Sequence, residues 1–277
     1  MEVGIGLPNA VPDTTGDQLV EWARRADRAG FSSLGTIDRI VYPNYEPLVS
    51  LAAAAAVTER IRLATTILLA PTRQSAALLA KQAASVNALA GGRLVLGIAP
   101  GGREDDFEAA GVPFDGRGRL FDEMLDGLDQ AWDGDRIGPD AKPKVVLGGS
   151  VDAAYRRAAE HGDGWIMGGG TPEMLAEGKQ KTDAAWKDAG REGSPRIMAL
   201  AYYSLGPDAE DSANRYLNHY YAFLGDYAGQ IAASAAKDAD TVRGYMQAFE
   251  QAGCDELILF PTSPETEQVD LLAEAAL

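Results

Sequence analysis

Cysteine and histidine are nearly absent. The chain has a single cysteine, Cys254, and two histidines, His161 and His219, among 277 residues. One thiol cannot form an internal disulfide, and a cysteine-based zinc cluster or a multi-histidine metal centre lacks its ligands. Long apolar runs are missing too. The longest, residues 48–57, is alanine-rich and interrupted by Ser50, far short of the about 20 residues a membrane helix needs. Met1 leads straight into a strand-like run, with no basic segment or apolar leader, so the expectation is a soluble cytoplasmic protein. Basic residues are scarce: 25 Lys and Arg stand against 41 Asp and Glu, a net charge of -16. A surface that acidic repels nucleic acid and anionic membranes, which sets both aside as partners. No Ser-His-Asp order, P-loop or HExxH pattern occurs. No strand–GxGxxG–helix fingerprint occurs either, which excludes a separate Rossmann site for NAD(P)H.

What is present is an alternation of strand and helix signals. Hydrophobic residues make up 46% of the chain, enough for a large core. "VGIGLP", "SLGTID", "IRLATTILLA", "RLVLGIA", "KVVLGG", "DGWIMGG", "RIMALAYYSLG" and "DELILFP" read as eight strands, each followed by a helical stretch. "TTGDQLVEWARRADRAG" places Leu19, Trp22, Ala23 and Ala26 on one face and ends at Gly30. "IRLATTILLA" is read as one continuous buried strand. Residues 208–253 read as a long helical region broken near residues 237–240. Eight βα units predict an α/β fold, a closed (β/α)8 TIM barrel, with residues 1–277 forming a single domain. The Gly/Pro/Asp-rich stretch 133–144 is the expected joint between half-barrels.

In such a barrel the site lies at the C-terminal ends of the strands. After strands five and six, Gly148 and Gly149 precede Ser150, and Gly168, Gly169 and Gly170 precede Thr171 and Pro172. Ser150 and Thr171 are expected helix caps. Such turns either let the chain bend sharply or cradle a phosphate on free N–H groups; the same grammar in two adjacent turns favours the phosphate. Asp38 and Arg39 after strand two form either a structural ion pair or the contact to a ligand's polar edge, with Tyr42, Asn44 and Tyr45 then lining the pocket. Thr66 could face a ligand ring. His161, at a helix end, reads as structural. His219, Tyr220 and Tyr221 either pack a helix or wall the substrate pocket. In "APGGREDDFEAAG", Gly101 and Gly102 make a tight turn, and Glu104, Asp105 and Asp106 suit the positive end of the helix behind it. Three consecutive acids fan around a helix and do not converge on a metal.

Taken together, "TERIRLAT", "AGGRLVLGI" and "GDGWI", with "EPLVSLAAAAAVTERIRLATTILLAPTR" and "GCDELILFP", resemble the luciferase-like family of flavin- and deazaflavin-dependent oxidoreductases. The resemblance runs from the first strand to the last. It implies a cofactor ring across the barrel mouth, with Thr66 and Ile67 matching the family's non-prolyl cis peptide and Gly101 and Gly102 the turn that passes the ring. Gly148, Gly149 and Ser150, with Gly168, Gly169, Gly170 and Thr171, match the loops around the cofactor's phosphate tail. Asp38 joins the cofactor-binding set. Arg39 stands where many relatives carry histidine, and Gly102 where deazaflavin-dependent sugar dehydrogenases carry a proton-donating acid. The chain is short for the family, so reduced insertions and a more open pocket are expected.

The resemblance implies a monooxygenase using reduced FMN and O2 on a small organic substrate. A separate NAD(P)H:flavin reductase would supply the reduced flavin, and a homodimer would pair through the alanine-rich helix at residues 52–56. The alternative is hydride transfer with coenzyme F(420), whose longer anionic tail calls for basic residues; Arg39, Arg73, Arg103 and Lys179 are the candidates. A third reading is a flavin-binding protein without turnover. Asp38, Arg39, Asp106 and Tyr221 are the candidate catalytic residues.

Overall fold

The computed structural model describes residues 1–134 and 137–277. Residues 135 and 136, inside the expected half-barrel joint, lie outside the described residues. The strands are β1 Glu2–Gly6, β2 Ser33–Thr36, β3 Arg62–Thr65, β4 Leu68–Leu69, β5 Leu94–Ala99, β6 Lys144–Gly148, β7 Gly164–Met167, β8 Arg196–Tyr203 and β9 Glu256–Pro261. Every pairing in the sheet is parallel. The run closes because β3 pairs with β5, Leu63 against Leu94. With β3 and β4 counted as one interrupted strand, this is the expected (β/α)8 barrel.

The helices are α1 Gly16–Ala29, α2 Pro47–Ala55, α3 Ala76–Leu89, α4 Glu104–Ala109, α5 Arg117–Asp133, α6 Asp152–His161, α7 Pro172–Asp188, α8 Ala209–Tyr220, α9 Tyr227–Ala233, α10 Ala239–Gln251 and α11 Glu267–Ala276. Helix α1 shows how local chemistry sets an element. Thr15 and Gln18 form a capping box at its start, Gly30 ends it at φ 96°, and the buried face is Leu19, Trp22, Ala23 and Ala26. Alternate strand residues serve two apolar clusters. Leu63, Leu94, Leu96 and Val145 pack with the surrounding helices, while Ala64, Val95 and Val146 pack inside the barrel. The inner cluster continues upward into Tyr202, Tyr216 and Tyr220 at the mouth. Among the described residues, no helix is long and apolar enough to cross a membrane.

Two sequence readings need correction. The third strand does not run on to Ala70: it breaks at Thr66 and Ile67, whose peptide is cis, as the resemblance implied. There Thr65 Oγ1 donates to Gly97 O at 2.7 Å and Thr66 Oγ1 to Thr36 O at 3.1 Å, so both hydroxyls are spent on the neighbouring strands. A Cβ on Gly97 would lie 2.1 Å from the Thr65 carbonyl oxygen, so glycine is required for this approach. The region 208–253 breaks twice, not once. The second break falls near the expected place, before α10. The first follows α8, where Gly225 takes φ 58° and ψ -133°, a conformation side chains oppose.

Candidate active site at the barrel mouth

Three cavities adjoin one another at the C-terminal ends of the strands. A central cavity of about 390 Å³ lies between the turns after β2, β4 and β5 and the end of α8. Of the residues singled out from the sequence, it gathers Asp38, Arg39, Thr66, Ile67, Gly101, Gly102, Asp106, Gly149, Gly168 and Tyr221. Its apolar lining is Ile37, Ile67, Leu69, Leu200 and Phe223. A glycine-turn cavity of about 380 Å³ adjoins it, lined by Gly149, Ser150, Gly168 and Gly169 together with Glu177 and Lys181. A tyrosine cavity of about 520 Å³ lies between the 168–171 turn, Tyr202 and Tyr221, and helices α9 and α10.

Asp106 is fully buried and its carboxylate is spent on neighbours. Oδ1 accepts the N–H groups of Ile40 at 2.8 Å and Val41 at 2.7 Å, and Oδ2 accepts Arg39 Nε at 2.8 Å. The acid run therefore does more than fill the first turn of α4: its third member ties the β2 loop to that helix. Arg39 Nη2 donates to Val41 O at 2.9 Å, while its buried Nη1 has no hydrogen-bond partner. The guanidinium lies 5.6 Å from the Tyr42 ring centre and 5.5 Å from that of Tyr220, so the aromatic wall is built partly around this cation.

Asp38 is buried and accepts Leu69 N–H and Arg73 Nη2, both at 2.8 Å. Burial pushes its carboxyl above the ordinary range, and the Arg73 charge offsets only part of this. Tyr202 and Tyr221 share a hydroxyl–hydroxyl hydrogen bond of 2.8 Å. Burial holds both phenols above their ordinary value, so both keep their protons at neutral pH.

The glycine turns differ in detail from expectation. Thr171 does cap α7, accepting Met174 N–H at 3.4 Å. Ser150 does not cap α6; Val151 takes that position, and α6 starts without a side-chain cap. The chain takes one more residue to complete the turn, so Ser150 stays exposed beside the cavity. Gly148 lines none of the three cavities. It lies beneath Ile67, whose Cδ1 is 2.5 Å from where a Cβ would sit. Tyr42, Asn44 and Tyr45 are likewise outside the cavity walls. Tyr42 instead hydrogen-bonds His219 Nδ1 at 2.8 Å, joining the β2 loop to α8. His161 Nδ1 lies 2.8 Å from Asp129 Oδ2, a helix-to-helix contact.

Of the expected phosphate-side cations, none lines the glycine-turn cavity. Arg73 is held by Asp38 and Glu46, Arg103 by Asp105, and Lys179 by Asp183. The cation present there is Lys181, 3.0 Å from Glu177. Sequence reasoning missed Lys181, Tyr202, Phe223 and the residues of α9 and α10. The signal available for Lys181 was its place two and a half turns into α7, on the face shared with Glu177 and Met174.

The sequence profile of the luciferase-like monooxygenase family matches residues 1–258. The chain belongs to the luciferase-like monooxygenase family. An uncharacterised Mycobacterium tuberculosis protein is 33% identical to this luciferase-like chain over 217 residues, 65% of this chain and 75% of the relative. Among solved structures, a coenzyme F(420)-dependent secondary alcohol dehydrogenase bound to a cofactor–acetone adduct superposes with TM-score 0.84 at 18% identity, covering 99% of this chain and 97% of that one. Monooxygenase RslO1 from Streptomyces bottropensis superposes with TM-score 0.82 at 22% identity, covering 100% of this chain and 98% of that one. Identities this low carry the fold, and both neighbours share the barrel.

Proposed function

We propose that this luciferase-like protein is a flavin-dependent monooxygenase that acts with reduced FMN and O2 on a small organic substrate. The observation that carries the reading is the junction of the central and glycine-turn cavities. One is broad enough for a flat ring and has an apolar side of Ile37, Ile67, Leu69 and Leu200; on the other converge the starts of two helices, with α6 uncapped. Free N–H groups at a helix start suit one terminal phosphate. Added Cβ atoms on Gly102 and Gly169 would meet nothing within 4 Å, so both backbones face open space a ligand can approach.

In this reading Thr66, Ile67, Gly101 and Gly102 back the ring, with Gly148 packed beneath Ile67, Asp38 and Arg39 meet its polar edge, and Gly149, Ser150 and the 168–171 turn surround the phosphate. Bound reduced FMN supplies the electrons that activate O2. The protein supplies position and dryness: Ile37, Ile67, Leu69 and Leu200 exclude water from one side, and Tyr202 and Tyr221 hold protons at their hydroxyls on the other. The Arg39–Asp106 pair fixes the loop that closes the cavity, a positioning role.

Charge favours FMN over coenzyme F(420). The cation beside the phosphate turns, Lys181, is already paired, which offers little to a long anionic tail. We further read residues 1–277 as one domain of a cytoplasmic enzyme that receives reduced flavin from a separate NAD(P)H:flavin reductase. It pairs with a second copy through the α2 face that exposes Val49 and Ala53. Side-by-side titration of the full chain with FMN and F(420), followed by oxygen uptake with reduced FMN, tests the reading. Saturable FMN binding with oxygen uptake is expected. Preference for F(420) without oxygen uptake would establish the hydride-transfer alternative instead, and tight FMN binding with no turnover across substrate libraries would leave a flavin carrier.

A further inference from the structure

We propose that the tyrosine cavity is the compartment for the substrate, and that the substrate is an uncharged, largely aromatic molecule bearing one hydrogen-bonding oxygen. This rests on the reading that the central cavity holds the flavin ring, which leaves the adjoining space for the molecule the ring acts upon.

Charge gives the first argument. Among the described residues, no charged side chain lines the tyrosine cavity, although 24% of the chain is charged. The central cavity by contrast carries Asp38, Arg39, Arg103 and Asp106, and the glycine-turn cavity Glu177 and Lys181. An ionised ligand entering the tyrosine cavity would lose hydration and find no counter-charge.

The walls give the second. Tyr227, Tyr245 and Phe249 stand with Ile231, Met174 and Leu200 around about 520 Å³. Rigid aromatic walls and an adaptable methionine suit flat rings of one or two fused cycles. Tyr227 is 56% exposed, so the cavity opens to solvent on the α9 side and gives the ligand an entry.

The junction gives the third. Gly168, Leu200, Tyr202 and Tyr221 line both this cavity and the central one. Their hydroxyl pair, 2.8 Å apart, uses one O–H internally and leaves the other unspent. A substrate oxygen at this point would take that proton donor and fix which end of the molecule faces the central cavity.

Calorimetric titration of the full chain with 1-naphthol, 1-naphthoate and naphthalene, each with and without FMN, tests the inference. 1-Naphthol is expected to bind at least tenfold more tightly than 1-naphthoate. Ile231→Arg should weaken 1-naphthol at least tenfold. Ser234→Arg, at an exposed position on the same wall, should do the same and guards against a folding defect. Tyr221→Phe should weaken 1-naphthol three- to tenfold and leave naphthalene unchanged. Equal or tighter 1-naphthoate binding, as an anionic tail site would give, overturns the inference. So does 1-naphthol binding that both arginine variants leave intact. If FMN fails to bind while 1-naphthol keeps these dependences, the cofactor reading falls and the cavity assignment stands.

Discussion

The floor of the barrel buries Glu256 against partly exposed Arg62 and Arg196, and the mouth buries Asp106 with Arg39 and Asp38 against partly exposed Arg73. At the floor Glu256 accepts Ser32 Oγ at 2.5 Å, Arg62 Nη2 at 3.0 Å and Arg196 Nη2 at 2.7 Å. Burial alone would push its carboxyl up, but the Ser32 and Arg196 hydrogen bonds with the Arg62 charge override it and hold it below the ordinary range. At the mouth Asp38 has one arginine and one backbone N–H, and burial wins. The same residue types thus give opposite results because the number of donors differs. Several donors hold a buried carboxylate below its ordinary range; two leave burial the larger effect beside a cavity, and the carboxyl stays above its ordinary range.

The largest test of that contrast is at the floor. Glu256→Ala leaves the partly exposed Arg62 and Arg196 with Glu2 as their remaining carboxylate and should cost about 2–3 kcal/mol in urea unfolding. A loss below about 1 kcal/mol would mean the floor cluster is not a lock. Asp106→Asn comes next. Its amide must turn an N–H₂ towards Arg39 or towards the Ile40 and Val41 N–H groups, so a loss of about 1–3 kcal/mol is expected. Unchanged stability would show that the β2 loop is held by other contacts.

Acid pH sharpens the comparison. Glu256 and Glu2 are both held below their unfolded values, in Glu2 because bonds from Arg62 and Arg196 outweigh burial. Their contribution is therefore present above the unfolded value of about 4.3 and is lost as pH falls through the lower folded values. Glu256→Gln should flatten the acid limb of a stability-against-pH curve; an unchanged limb would assign it to other carboxylates. Asp38 has the opposite sign. Its folded value is raised, so its contribution is complete below the unfolded value of about 3.9 and declines as pH rises through the folded one. Carboxyl-carbon NMR should find Asp38 titrating above the ordinary aspartate range. Asp38→Asn should change stability at neutral pH by about 1 kcal/mol or less, the smallest effect here.

Much of the architecture was legible because it is written at short range. Strand and helix periods, the capping box at Thr15 and the glycines after β6 and β7 depend on residues a few positions apart. The α1 face was read residue for residue. The candidate site was legible mainly where it follows a strand end, as with Asp38, Thr66, Gly101 and Gly149, with Asp106 in α4 and Tyr221 at the end of α8 the exceptions. The Ser150 cap was misplaced by one residue because a turn's length depends on how the helix packs. The cis peptide at Thr66 and Ile67 was implied by the resemblance, but local strand period did not reveal the interruption, because Thr65 and Thr66 meet Gly97 and Thr36 only after the barrel closes.

By itself the sequence determined eight βα units and therefore which chain segments reach the mouth, since hydrophobic period is a local property. The tertiary structure decided the pairings: Arg39 with Asp106 across 67 residues, Tyr202 with Tyr221 across 19, and a cavity, uncharged among the described residues, assembled from the turn after β7, the start of α7, β8, α9 and α10. Burial, donor count and cavity charge are sums over neighbours from distant segments, and those neighbours exist only once the barrel has closed.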